Sequence, residues 1–315
     1  MSASDPAASS TGLPLDALVV GGGPAGLAAA LYLARFRRRV LLVDNGHSRV
    51  ATIPRTHNYP GFAEGVAGDA LLSTMRRQAA HHGVQFASGL VESLSVAGEV
   101  FRAEWRGGDA AARKVVLASG VSDVPPAMPH LAQALQEGAL RYCPVCDGFE
   151  VIGRDVGVLV DHGSDTGEAL YLRHFTDRLT LFPVHDGVHF DTHQRNQLDD
   201  AGVAIVADTV SAIRLQGDGR ISVHHGANET ELDSLYAALG MRVHSGLATR
   251  LGAQHHDGYL LTDHHQQTTV PGLYAAGDVV KGLNQITVGV GEAAVAASAI
   301  HLALLKEDSK RRPLP

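Results

Sequence analysis

Apolar positions along this chain come in short continuous runs, each closed by a turn-rich break and followed by a helix-prone stretch. Residues 15–20 are one such run, ended by Gly21-Gly22-Gly23-Pro24-Ala25-Gly26, and residues 27–36 after it are rich in Ala and Leu. Residues 40–43 are a second apolar run ending at Asp44. Short bounded apolar runs read as buried strands and the Ala/Leu stretch as a helix, so a βαβ unit is predicted, with its glycines at the strand-to-helix turn. The same order recurs in mid-chain: strand at 155–160, helix at 164–175, strand at 179–182. Near the end, residues 270–279 read as turn, short strand and turn, and residues 292–305 as an Ala-rich helix. No tandem repeat is apparent. The pattern predicts an α/β fold with two Rossmann-like, three-layer nucleotide-binding units.

Composition agrees with that picture. At 315 residues the chain can hold two cores, since domains commonly run to about 150 residues. Hydrophobic residues at 45% and charged residues at 19% are those of an ordinary globular protein. The 35 glycines fall mostly in short clusters at loop positions, which suits a turn-rich α/β fold. A net charge of −7 offers no basic field to recruit nucleic acid. The basic run Arg35, Arg37, Arg38, Arg39 ends a predicted helix, where cations complement the helix dipole. No apolar run is expected to reach the ~18 residues of a membrane span. The start MSASDPAASSTG lacks the basic and apolar regions of a secretory signal, and a cytoplasmic location is expected.

Two motifs carry chemistry. Gly21, Gly23 and Gly26 have GxGxxG spacing at the predicted strand-to-helix turn, with Pro24 and Ala25 inside it. The first glycine makes the tight turn, the second admits a pyrophosphate to the backbone, and the third lets helix and strand pack closely. The helix N-terminus then faces the phosphates with its positive end. Asp44 follows at about the 20-residue distance where a carboxylate can accept from ribose hydroxyls; its charge disfavours a 2′-phosphate there. The second motif holds the only two cysteines, in Cys143-Pro144-Val145-Cys146. A tetrahedral zinc would need two further ligands; the pairs His255-His256 and His264-His265 lie in turn-like sequence and read as solvated surface. In a reducing compartment a lone CxxC is a redox pair rather than a staple. Pro144 suits the first helical turn and so sets Cys143 at a helix start, where a thiolate is stabilised.

Together with these motifs, His57-Asn58-Tyr59-Pro60-Gly61, Leu117-Ala118-Ser119-Gly120, CPVCDG at 143–148 and the segment 269–278 ending in Gly277-Asp278 stand in the order of a known family. The chain resembles the low-molecular-weight thioredoxin reductases over nearly its whole length. The resemblance implies an FAD-binding domain built from residues 1–123 and 246–315, with a pyridine-nucleotide-like domain at 124–245 inserted in it, and a homodimer. It implies FAD held by Gly21, Gly23, Pro24, Ala25, Gly26, Asp44, Asn58, Ser119, Gly120, Gly277, Asp278, Gln285 and Ile286. It sets Cys146 against the flavin, Cys143 as its partner, and Asp147 as the acid that moves protons during dithiol–disulfide interchange. Which cysteine meets an external disulfide stays open.

The second nucleotide motif departs from the family. Aligned on residues 168–172, the small residues of its GxGxxA become Val160, His162 and Asp165, and Asp161 adds a further carboxylate. Side chains there block close backbone approach. The family's phosphate-binding arginines become Val184 and His185, after Pro183, and neither makes an arginine's forked contact. A one-residue slip would bring in Gly163 but not restore the motif. The chain is therefore predicted to pass electrons between FAD, Cys143–Cys146 and a thioredoxin-like protein or small dithiol without efficient use of NADPH. Its electrons would then come from another donor, such as a ferredoxin-like protein; the alternatives are an oxygen-dependent dithiol oxidase, an ordinary NAD(P)H-dependent thioredoxin reductase, or a flavin-binding module without turnover.

Overall fold

The computed structural model describes residues 13–162 and 166–311. The chain divides into two compact units. It opens with β1 (Leu15–Val20), α1 (Pro24–Arg35), β2 (Val40–Asp44), α2 (Gly68–His81), β3 (Gln85–Ser88), β4 (Val91–Ala97), β5 (Val100–Trp105), β6 (Gly108–Leu117) and β7 (Val121–Asp123). Next come α3 (Leu131–Gln136), β8 (Leu140–Arg141), α4 (Pro144–Asp147), β9 (Val156–Val160), α5 (Thr166–Leu172), β10 (Leu179–Pro183), α6 (Thr192–Asp200) and β11 (Ala204–Ile205). A meander of β12 (Val210–Leu215), β13 (Ile221–His225) and β14 (Asn228–Leu232) leads to β15 (Ser234–Ala238) and β16 (Met241–Val243). The chain ends through α7 (Gly246–Thr249), β17 (His255–His256), β18 (Tyr259–Leu260), β19 (Leu273–Ala275) and α8 (Ile286–Arg311).

Among the described residues the first unit comprises 13–51, 69–122 and 243–311. Its sheet runs β3-β2-β1-β6-β5-β4, with β19 also paired to β6. Strands β3, β2, β1, β6 and β19 are parallel, whereas β5 and β4 add on antiparallel. The parallel strands are apolar on both faces because both are covered. On one face Leu27, Leu33, Leu42 and Val116 pack with Ala293, Ala297 and Leu304 of α8. On the other, Leu18, Val115 and Leu117 pack with Phe101, Leu247 and Leu260.

The second unit comprises residues 52–68 and 123–242. Its parallel sheet runs β11-β10-β9-β15-β8. One face carries α5 and α6 through Ala169, Leu172 and Leu198. The other carries the β12–β14 meander through Ile213, Ile221 and Val223 against Leu159, Phe182 and Leu235. Each unit is thus layered on both faces of a sheet whose central strands are parallel, as the runs of apolar residues predict.

Three expectations need correction. Residues 52–68 group with the second unit, not with the first; within that unit His57 Nδ1 stands 2.9 Å from Glu150 Oε1. Helix α1 starts at Pro24, ahead of the predicted residue 27, since proline is at home in a first helical turn. Helix α8 starts at Ile286 rather than 292, and its stretch Ile286–Lys310 is long and apolar enough to span a membrane by length and composition. The two glycines of its first turns hid that start. Gly289 belongs there because a Cβ would stand 3.0 Å from the Gly277 Cα. One face of α8 lies in the core against α1, with Ala293, Ala296, Ala297 and Ile300 fully buried, so the helix is a core element. Asp165 and the alternative Gly163 lie outside the described residues.

Candidate active site

In the first unit, the glycine loop is shaped by contacts that only glycine allows. Gly21 has φ +108° and a Cβ there would meet the Ala118 carbonyl oxygen at 2.3 Å. A Cβ on Gly26 would sit 1.9 Å from the Gly21 carbonyl oxygen, so the third glycine sets the close helix–strand approach. Gly23 differs: a Cβ would meet only Ser48 Oγ, at 3.5 Å. Among the described residues only that hydroxyl comes within 4 Å of the added Cβ on Gly23, the N-cap of the twelve-residue α1, where a phosphate group would gain the helix dipole. Pro24 and Ala25 start that helix, buried. Asp44, at the end of β2, takes the Gly22 amide on Oδ1 at 3.1 Å, and Arg76 lies 3.7 Å from its other oxygen.

Other predicted residues are drawn into the same unit. Ser119 Oγ donates to the His244 carbonyl at 2.7 Å, and the left-handed Gly120 accepts from the His244 amide at 3.0 Å. Gly277, φ +79°, comes so near Ala25 that a Cβ would be 2.9 Å from that residue's Cβ. Its amide donates to Glu292 Oε2 at 2.7 Å, and Asp278 pairs with Arg49 at 3.4 Å. Burial, with Asp278 adding to it, pushes the Glu292 carboxyl above the usual carboxylate range. Gln285 accepts from the Gly289 amide at 3.0 Å, and Ile286 begins α8. Asn58 lies instead in the second unit, where its Oδ1 accepts from Thr56 Oγ1 at 2.9 Å.

The redox pair is in the second unit. Cys143 and Cys146 form a disulfide with Cα atoms 5.2 Å apart, across the single turn of α4. Pro144 occupies the first helical position, and the Cys146 amide closes the turn on the Cys143 carbonyl at 2.9 Å. One turn carries little of a full helix dipole, so the expected thiolate stabilisation from that source is small. Within six residues of the pair in the chain, three apolar side chains are exposed: Val145 at 44%, Ile152 at 55% and Phe149 at 74%.

Asp147 follows the pair and is held on both oxygens. Arg141 Nη1 donates to Oδ2 at 2.8 Å, and the Tyr236 hydroxyl donates to Oδ1 at 2.8 Å. Burial raises the Asp147 carboxyl above its ordinary range, against the pull of Arg141 and Tyr236, and Glu150 adds to the rise. Burial and the Asp147 charge push the fully buried Tyr236 phenol strongly upward, so it stays a donor. Sequence reasoning missed Arg141, Tyr236, Glu150 and Glu292. Arg141 was within sight, two positions before Cys143, and Glu292 was an acid in an Ala-rich helix. Tyr236 in the run SLYAA gave no polar signal.

At the C-terminal ends of β9 and β10, where a Rossmann unit holds its nucleotide, the second unit has a different arrangement. Val160 is fully buried, and Asp161 Oδ1 lies 3.0 Å from His185 Nε2. The Gly187 amide donates to His185 Nδ1 at 2.9 Å. His162 Nε2 stands 3.6 Å from the other Asp161 oxygen.

Comparison with known proteins now decides the family. The pyridine nucleotide-disulphide oxidoreductase family model matches residues 15–293. The chain belongs to that family. It is similar to the thioredoxin reductase of Treponema pallidum, 30% identical over 90% of this chain and 95% of that protein, and to that of Bacillus subtilis, 28% identical over 90% and 93%. Among solved structures, that of HlmI covers 95% of each chain at 32% identity and a TM-score of 0.86. The protein is a thioredoxin reductase-like disulfide oxidoreductase, an enzyme with a close cysteine pair. Family members are typically FAD proteins.

Proposed function

We propose that this enzyme binds FAD in its first unit and passes electron pairs between FAD, the Cys143–Cys146 disulfide and a thioredoxin-like protein or small dithiol, without efficient use of NADPH. The observation that carries the reading is the CxxC disulfide adjoining an acid, Asp147, whose carboxyl is raised by burial and fixed by two donors. Gly21, Gly23, Pro24, Ala25, Gly26 and Asp44 would hold the dinucleotide, with Ser119, Gly120, Gly277, Asp278, Gln285 and Ile286; the clear space at Gly23 fits a pyrophosphate. Asn58 joins this set by the family resemblance alone. Bound FAD supplies a two-electron carrier able to exchange with the cysteine pair.

The protein's own residues do the thiol chemistry. Attack by an external thiolate on one sulfur of Cys143–Cys146 breaks the S–S bond, forms a mixed disulfide and releases the other cysteine as a thiolate. A second thiol of the substrate then displaces the mixed disulfide, leaving two cysteine thiols and an oxidised substrate; the reverse steps reduce a substrate disulfide. Asp147, with its raised carboxyl, gives a proton to the leaving thiolate and takes one back in the reverse direction. The exposed Val145, Phe149 and Ile152, close to the pair in the chain, would offer apolar contacts to a partner. A homodimer and a cytoplasmic location accord with the family.

Loss of NADPH use is supported by the Asp161–His185 contact across the ends of β9 and β10. A pyrophosphate brought there meets the Asp161 carboxylate, with Val184 and His185 where the family has arginines. Each lost charged contact costs about 1.5–3 kcal/mol, and 1.4 kcal/mol is tenfold in affinity. Losses at several positions take a micromolar site to about millimolar or beyond. Electrons then come from a dithiol or a ferredoxin-like donor.

The redox pair is tested by single serine variants of the FAD-loaded enzyme. Cys143→Ser should leave a Cys146 thiolate facing the flavin and a long-wavelength charge-transfer band, Cys146→Ser should show none, and both should lose dithiol–disulfide turnover. Full turnover in either variant would reject the pair as the catalytic element.

A further inference from the structure

Arg141 and Tyr236 are register partners on neighbouring parallel strands, β8 and β15. Side chains at paired positions emerge on the same face of a sheet, so the guanidinium and the phenol stand side by side there. Asp147, returning at the end of α4, meets both, one oxygen to each at 2.8 Å. The Tyr236 hydroxyl also lies 3.3 Å from the Asp147 carbonyl oxygen, which ties it to this one residue twice.

Arg141 is itself built in. Its Nε donates to Ser234 Oγ at 3.3 Å, and Ser234 Oγ in turn donates to the Gly138 carbonyl at 3.0 Å. Gly138 is left-handed, φ +70°, and a Cβ on it would press to 3.0 Å from Arg141 Nη2. The guanidinium thus keeps its place through strand register, a serine and a glycine, and its charge goes to Asp147. The groups around the Asp147 carboxyl are Arg141 from β8, Tyr236 from β15, the disulfide at the start of α4, and Glu150 in the turn after α4, which is paired with His57. An ordinary ion pair on a surface would need neither the buried phenol nor the supported guanidinium.

We propose that Arg141 and Tyr236 are positioning residues which hold the Asp147 carboxyl between them and so set the pH range over which the Cys143–Cys146 disulfide exchanges with a dithiol. The proposal rests on the reading of Asp147 as the proton-handling group. Arg141 favours the ionised carboxylate by charge and Tyr236 by its hydrogen bond, both against burial. Asp147 then gives up its proton at a lower pH than its buried site would otherwise dictate, and its oxygens stay fixed relative to the turn that carries the sulfurs.

The test uses the FAD-loaded full chain and dithiothreitol under anaerobic conditions. Electron pairs taken up are counted as alkylated cysteines plus bleached flavin after rapid quenching. Initial rates, divided by the thiolate fraction of dithiothreitol, are followed from acid to alkaline pH. The wild-type rate should fall through one inflection as Asp147 loses its proton. Arg141→Gln should move that inflection upward by about 1–3 units, the usual effect of an adjacent arginine on an aspartate. Arg141→Lys should hold it within about half a unit, and Tyr236→Phe, one oxygen smaller, should move it upward by less than Arg141→Gln. Asp147→Asn should abolish it. If Arg141→Gln does not fold, a shift in Tyr236→Phe supports the proposal and its absence overturns it. An unmoved inflection in folded Arg141→Gln and Tyr236→Phe, with Asp147→Asn flat, overturns the proposal and leaves Asp147 as the proton group. An inflection that persists in Asp147→Asn overturns the reading of Asp147 itself.

Discussion

Gly23 and Gly26 are three residues apart and of one type, yet the structure gives them different tasks. Gly26 touches Gly21 so closely that a methyl group would fall 1.9 Å from a carbonyl oxygen, whereas a methyl on Gly23 would meet a lone hydroxyl at 3.5 Å. Gly26→Ala is therefore expected to destabilise the first unit by about 1–3 kcal/mol or more, as overpacking does. Gly23→Ala should keep the stability of the cofactor-free protein within about 1 kcal/mol, the difference between the two residues at an N-cap. It should still weaken FAD binding at least tenfold, because the methyl occupies the space for a pyrophosphate. Denaturation of the cofactor-free protein and FAD titration separate the two effects. Equal loss of stability in both variants would contradict the assignment of Gly23 to the ligand. These glycines were legible because spacing alone dictates their roles. The partners of Asp147 were not, since Tyr236 reaches it only through the pairing of β15 with β8, which no local pattern shows.

Among the elements, α8 holds the first unit together at both ends. Its first turns carry Glu292 to the Gly277 amide, and its last turns carry Glu307 and Asp308 to three cations. Asp308 pairs with Arg38 and Arg113 at 2.8 and 2.7 Å, and Glu307 with Arg113 and Lys114 at 2.8 and 2.6 Å. Hydrogen bonds from Arg38 come first among the influences that hold Asp308 below its ordinary range. For Glu307, burial opposes the lowering, and Lys114 and Arg113 outweigh it. Both folded values lie below the unfolded ones, so this stabilisation is full above the unfolded carboxylate range near 4 and fades as pH falls through the folded values. Asp308→Asn should cost about 1–3 kcal/mol at neutral pH: the arginines are 9 and 10% exposed, but Asp308 at 41% is screened by water. The cost should shrink below about pH 4. An undiminished difference between wild type and variant in acid denaturant titrations would refute the ion-pair account. The sequence showed this helix only in part. Its Ala-rich middle was plain, while Gly289 and Gly291 concealed the first turns.

For the whole molecule, the two βαβ patterns predicted two three-layer units, and the parallel sheets β3-β2-β1-β6 and β11-β10-β9-β15-β8 follow from them. What the pattern could not give was the company of residues 52–68, because their place depends on contacts such as His57 with Glu150, far along the chain. The two Rossmann-like units have diverged in chemistry. The first keeps the three glycines of GxGxxG, and the second spans the ends of β9 and β10 with the Asp161–His185 contact. On the function proposed above, the electrons would come from a thiol or a protein donor. The most direct measurement mixes the oxidised FAD-loaded enzyme anaerobically, in a stopped-flow instrument, with NADPH, NADH, dithiothreitol or dithionite. The expected result is that dithiothreitol and dithionite bleach the flavin while neither nucleotide does so at a useful rate. Reduction by NADPH or NADH at about ten per second or faster, saturating below about a millimolar, would contradict it and make the second unit a working nucleotide site.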